Sequence, residues 1–151
     1  MTNLKHNIYI GAGHRGFALK ESLKEWLDVK GYNIVDCGAM VYDGDDDYPD
    51  YAQRVAKYVI TMHDARGIVL CGSGNGVCIA ANKRSGVRAG LALSVAQIRD
   101  SVAHDHLNVL CISADYTQPE DARRFVETFL STQYSQEVRH LRRIRKITQC
   151  Q

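Results

Sequence analysis

The chain has 151 residues, 45% of them apolar, 24% charged and only two proline, which excludes a disordered chain and matches one domain with a full sheet-and-helix core, residues 1–151. A formal charge of +2 is too small to argue for a polyanion partner. Five cysteines cannot all pair, and no apolar stretch approaches the roughly 18 residues of a membrane span, so the chain reads as a cytoplasmic protein with reduced thiols and no membrane contact.

Along the chain, strand and helix patterns alternate. Asn7–Ile10 is a short apolar run ending in glycines. Phe17, Leu19, Leu23, Trp26 and Leu27 then recur at helical spacing until Gly31 stops the helix. Asn33–Cys37 reads as a second strand. An acidic loop, Asp43–Asp47, leads through Tyr48-Pro49 into a helix carrying Tyr51, Ala52, Val55, Ala56, Val59 and Ile60. The third strand is Gly67–Cys71, with a short helix at about Val77–Lys83. Strand four is Arg88–Leu93 and strand five Asn108–Ile112, with helices at about Val95–His104, Pro119–Leu130 and Gln136–Ile147. Five short, continuously apolar strands between helices predict an α/β fold. Its form is a three-layer, doubly wound (Rossmann-like) five-stranded parallel sheet with a C-terminal helix. Ligands in such folds sit at the C-terminal strand ends, here the loops Gly11–Gly16, Asp36–Asp47, Cys71–Gly76 and Ser113–Thr117.

Chemistry concentrates in Cys71-Gly72-Ser73-Gly74-Asn75-Gly76. A nucleophile-capable thiol there ends a buried strand and meets a glycine-rich turn full of N–H donors. Thiols near helix N-termini ionise more readily, and a nest of amides stabilises an anion. The plain alternative is a buried cysteine before a tight turn. The first loop, Gly11-x-Gly13-x-x-Gly16, matches the dinucleotide fingerprint, with Asp36 placed as a ribose-binding carboxylate. Against that reading stand the absence of a separate substrate domain, the bulky His14-Arg15 in the loop, and the stronger glycine loop after strand three. Cysteine and histidine spacings match no zinc motif, so no metal is expected. Arg139, Arg142, Arg143, Arg145 and Lys146 form a basic helix face opposite Val138, Leu141 and Ile144, which mark the packed face. With no aromatic residues among the basic ones, nucleic-acid binding is not expected.

The stretch Cys71–Lys83 resembles the signature loop and helix of type B ribose-5-phosphate isomerases and their galactose-6-phosphate isomerase relatives. So do, in order, Gly11–Gly16, Asp47–Ala52, Gly86–Arg88, His104–Leu110 and Arg139–Arg143. The resemblance implies a cofactor-free aldose–ketose isomerase acting on a sugar phosphate, most readily ribose 5-phosphate, through an enediolate. By carry-over Cys71 is the base, since Val77 stands where other members have a glutamate. Ser73 and the amides of Gly72, Gly74, Asn75 and Gly76 hold the oxyanion, and His104 assists ring opening. His14, Arg139 and Arg143 bind phosphate, and Asn108 joins the substrate-binding set. The resemblance also implies a homodimer or homotetramer with sites at the subunit interface. Two departures stand out. Gly13 replaces the family's usual aspartate, and Asp115 replaces a phosphate-binding arginine, which leaves the sugar's identity open. A catalytically dead isomerase-like subunit and a small nucleotide-binding module are the alternatives.

Overall fold

The computed structural model describes residues 5–150. β1 (Asn7–Ala12) passes through a one-turn 3-10 segment at His14–Gly16 into α1 (Phe17–Val29) and β2 (Asn33–Asp36). Then follow α2 (Tyr48–Thr61), β3 (Ala65–Cys71), α3 (Asn75–Asn82), β4 (Ala89–Leu91) and α4 (Val95–Asp105). β5 (Val109–Ser113), α5 (Pro119–Ser131) and α6 (Val138–Thr148) complete the chain. The strands form one parallel sheet in the order β2-β1-β3-β5-β4, so the predicted architecture is the one the chain adopts.

Period-two alternation on the sheet makes two cores. Ile8, Ile10, Ile68, Leu70, Leu110 and Ile112 face α1, α4 and α5, meeting Leu23, Leu27, Ile98, Val102, Val126 and Phe129. Tyr9, Val69, Cys71, Val109 and Cys111 face α2 and α3, meeting Val55, Ala56, Val59, Val77 and Ala81. Because β1, β3 and β5 are covered on both sides, their sequences read as unbroken apolar runs. The edge strand β4 has a single neighbour and is shorter than the Arg88–Leu93 run predicted.

From β1 the chain turns first to β2 at one edge, then back across β1 to β3. The carboxyl ends of β1 and β3 therefore diverge to either side of a crevice, the place where open α/β sheets bind ligands. One expectation needs correction. Val138, predicted on the packed face of the last helix, is 79% exposed, while His140 is buried. Val138 opens α6, and the packed stripe starts one turn later, at Leu141 and Ile144, which are half-buried.

Candidate active site

Main chain builds the end of β3. The carbonyl of Cys71 accepts the Ala114 N–H at 2.9 Å. That of Gly72 accepts the Asp115 amide at 3.1 Å and the buried Ser113 hydroxyl at 2.9 Å. The turn is thus stitched to the end of β5 before it bends. It bends at Gly74, whose φ of +77° is open to glycine and costly for other residues. This left-handed step sets the Gly74 N–H on the Cys71 sulfur at 3.2 Å and starts α3 at Asn75, two residues earlier than predicted. The Asn75 N–H lies 3.3 Å from the Ser73 hydroxyl oxygen, which accepts it. The first turn of α3 has N–H groups without intrahelical partners, and it carries the positive end of the helix dipole to this point.

The end of β1 closes the other side. The Gly13 N–H bonds the Leu70 carbonyl at 3.1 Å, which brings His14 and Arg15 beside the thiol loop. His14 meets Asp46, in the acidic loop, by its main-chain N–H at 3.0 Å and by Nδ1 at 2.9 Å. Tyr48, first residue of α2, spans the gap. A Cβ on Gly13 would fall 2.9 Å from Tyr48 Cβ, and one on Gly76 would fall 2.6 Å from the phenol. Both positions need glycine for close approach to the same tyrosine, Gly13 to its Cβ and Gly76 to its ring. Together Gly13, His14, Arg15, Tyr48, Cys71, Gly72, Ser73 and Gly76 enclose an open cleft of about 320 Å³, within the range of small-molecule sites.

Asp115, standing where the resemblance has a phosphate-binding arginine, forms an ion pair with the Arg15 guanidinium. The cleft rim thus keeps a cation, supplied from the β1 loop. Sequence reasoning missed Asp46, Tyr48 and Ser113 as site-building residues, and took Arg15 only as bulk. Tyr48-Pro49 at a helix start after an acidic run was the one visible signal.

The remaining expected residues lie elsewhere in the chain. Gly67 pairs with Val109 and Cys71 with Ser113, so the start of β5 is about 13 Å below the thiol at ~3.3 Å per residue. Asn108 stands at that lower end, where its Oδ1 accepts the Arg88 N–H at 2.7 Å and its Nδ2 donates to the Gly86 carbonyl at 3.0 Å. The structure gives it a latching part in place of the substrate contact predicted. His104 ends α4 at the same level, its ring 4.4 Å from that of His140, and burial together with His104 pushes the His140 imidazole below its usual range. Arg139 and Arg143 project from α6 as exposed residues, Arg139 paired with Glu137 at 2.8 Å. One chain therefore gathers Cys71, Gly72, Ser73, Gly74, Asn75, Gly76 and His14, and does not bring His104, Arg139 or Arg143 to them.

Asp36 does not have the free carboxylate that the dinucleotide reading needs. It accepts from Lys20 Nζ at 2.8 Å, Lys24 Nζ at 2.6 Å and the Gly38 N–H at 2.8 Å. Burial works against its charge, but these hydrogen bonds prevail and hold the carboxyl below its ordinary range. Lys20, fully buried, is satisfied by Asp36 and the Ala39 carbonyl. Among the other thiols, burial and Asp36 push Cys37 up to about 11. Cys78 is lowered to about 7 by its hydrogen bond with Cys111, whose own thiol burial pushes well up. Among the described residues no cluster of three or more metal-ligating side chains occurs, and no helix is long and apolar enough to cross a membrane.

Known proteins are similar to this chain over most of its length. A probable ribose-5-phosphate isomerase B of Mycoplasma genitalium is 41% identical over 145 residues, 95% of either chain. The ribose-5-phosphate isomerase B of Mycolicibacterium paratuberculosis is 39% identical over 137 residues, 91% of this chain and 86% of that one. The solved Mycoplasma genitalium enzyme with bound ribulose 5-phosphate superposes with a TM-score of 0.89 at 40% identity, covering 95% of each chain. The Thermotoga maritima ribose 5-phosphate isomerase gives 0.91 at 39% identity, over 96% of this chain and 99% of that one. Residues 8–147 match the Ribose/Galactose Isomerase family, and with it these alignments place the chain: it belongs to the ribose/galactose isomerase family.

Proposed function

We propose that this protein is a cytoplasmic aldose–ketose isomerase that interconverts ribose 5-phosphate and ribulose 5-phosphate with Cys71 as the base. The observation that carries the reading is the thiol at the floor of the cleft, held by the Gly74 N–H and overlooked by the first turn of α3. Cys71 as thiolate takes the C2 proton of the open-chain aldose. The C–H electron pair becomes the C1=C2 bond of an enediolate, and the charge moves to the C1 oxygen. The hydroxyl proton passes from O2 to O1, and return of the carbon-bound proton from Cys71 to C1 leaves a carbonyl at C2 and a hydroxyl at C1. Carbon is oxidised at C2 and reduced at C1 within one molecule, so the step balances without a co-reactant.

Ser73 and the amides of the Gly72–Gly76 turn support the developing oxyanion, where loss of one donor typically costs about 2.7–4 kcal/mol of barrier. His104, Arg139 and Arg143 reach the cleft from a second copy of the chain in a homodimer, or in a tetramer built from such dimers. That arrangement accounts for three functional side chains exposed at the far end of the sheet from Cys71. Asn108 serves the same end indirectly, by latching the start of β5 to the Gly86–Arg88 turn.

Solvent deuterium incorporation into ribose 5-phosphate, followed by proton NMR in D₂O, tests the chemistry directly. Wild type exchanges the proton, and Cys71→Ala is slower by about 10²–10⁴-fold, the usual worth of a general base, with an unchanged Tm. Equal exchange by both proteins removes Cys71 from the mechanism. No exchange by wild type removes this sugar, and the same assay on four- and six-carbon sugar phosphates then identifies the substrate.

A further inference from the structure

Asp46 belongs to an otherwise solvent-facing acidic loop, yet its own side chain is only 3% exposed. A carboxylate taken out of water is costly unless something specific meets it. Among the described residues no lysine or arginine pairs with Asp46; both groups bonded to its Oδ1 belong to His14. The residue before His14 is Gly13, so no carboxylate adjoins the imidazole along the chain. Tyr48, two residues beyond Asp46, packs into the space a side chain at position 13 would fill, and Asp46 Oδ1 lies 3.7 Å from where that Cβ would stand. Glycine at 13 and aspartate at 46 thus form one arrangement. The carboxylate enters from the α2 side and grips His14 by main chain and ring together.

We propose that Asp46 is the positioning residue of His14. It accepts a hydrogen bond from Nδ1–H, fixes that tautomer, and leaves Nε2 as the ring nitrogen presented to the substrate beside Cys71. The main-chain contact holds the backbone of the loop at the same time, so one carboxylate oxygen fixes both the loop and, through Nδ1, the ring. A ring held this way meets a sugar hydroxyl or phosphate oxygen through Nε2 in one orientation. No proton passes between Asp46 and His14. The assignment rests on the isomerase reading only for the identity of the substrate.

Two readouts test it. Long-range ¹H–¹⁵N spectra, with the His14 signals assigned by their loss in His14→Ala, are expected to show the Nδ1–H tautomer in wild type. In Asp46→Ala, which leaves Nδ1 without that acceptor, the Nε2–H tautomer is expected to gain share. In turnover of ribose 5-phosphate, Asp46→Asn is expected to lose about 10–100-fold in kcat/KM, the usual cost of removing an orienting partner. In a His14→Ala background the same change costs less than about 2-fold, since the partner it acts through is gone. Unchanged tautomers in Asp46→Ala, unchanged kcat/KM in Asp46→Asn, or fully additive losses in the double variant would each overturn the assignment. Where wild type itself does not turn over ribose 5-phosphate, the choice of sugar fails on its own, and the tautomer spectra still decide the role of Asp46.

Discussion

The two ends of this sheet are built differently. At the carboxyl end, Cys71, Gly72 and Gly74 are buried and tied to β5 by main-chain hydrogen bonds, and even the neighbouring loop contributes a buried carboxylate. At the amino end, the α4 terminus and α6 carry His104, Arg139 and Arg143 on exposed surface, beside an apolar Val138 that packs on nothing in its own chain's core. A rigid, main-chain-lined cleft suits groups that must meet a reacting atom to within a few tenths of an ångström. Charged side chains on an exposed helix suit a site completed from outside. In the proposed dimer each chain supplies one end to its partner, so the sheet carries two half-sites rather than one site and a spare surface.

Mixing is the strongest way to break that comparison. Cys71→Ala and His104→Ala are each expected to be nearly inactive, while their mixture, unfolded and refolded together, recovers about a quarter of wild-type turnover. Half of randomly paired dimers are mixed, and each holds one intact site of two. A mixture as dead as its components would place Cys71 and His104 in the same chain's site.

A second experiment sharpens the contrast within the carboxyl end, where Asp36 is a structural carboxylate and Asp46 a functional one. Asp36→Ala takes from the fully buried Lys20 its closest carboxylate, leaving Glu21 at 3.3 Å, and is expected to cost about 3–5 kcal/mol, read as a lowered urea midpoint. Lys20→Met together with Asp36→Ala recovers most of it, and kcat/KM of the folded fraction is unchanged in both. The same pair sets an acid limit. The folded carboxyl of Asp36 is held below its unfolded value, so its contribution is complete above the ordinary carboxylate range. It is lost as pH falls through the lowered value, and urea midpoints measured down the acid range should show this loss in wild type and not in the double variant.

The smallest expected effect concerns the thiols. With Cys78 at about 7 and half-exposed, its iodoacetamide labelling should rise to half-maximal near pH 7, while Cys37, at about 11, and fully buried Cys111 stay unlabelled in the native protein. Peptide mapping after alkylation reads this out. Preferential labelling of Cys111 would contradict the arrangement of the pair.

Much of this protein was legible in its sequence because the relevant signals are local. Unbroken apolar runs located β1, β3 and β5, the first two ending in glycine, and helical spacing located α1 and α2. The order Cys-Gly-Ser-Gly after a buried strand located the thiol loop before any fold was known. The misreadings share a cause as well. Asp36 looked like a ligand for ribose because spacing alone cannot show that Lys20 and Lys24 turn inward to meet it. Val138 looked buried because periodicity does not reveal where along a helix its neighbour begins.

What the sequence by itself determined is which segments become strands, which turns must be glycine, and that a thiol, Cys71, ends the third strand. These depend on steric and hydrophobic preferences that act over a few residues. Only the tertiary structure decided that Asp46 meets His14 across 32 residues, that Arg15 answers Asp115 across 100, and that His104 lies away from Cys71. Those meetings follow from the strand order, which sets β1 between β2 and β3, and β5 between β3 and β4. Strand order is settled by how whole faces pack, and the local pattern of residues does not record it.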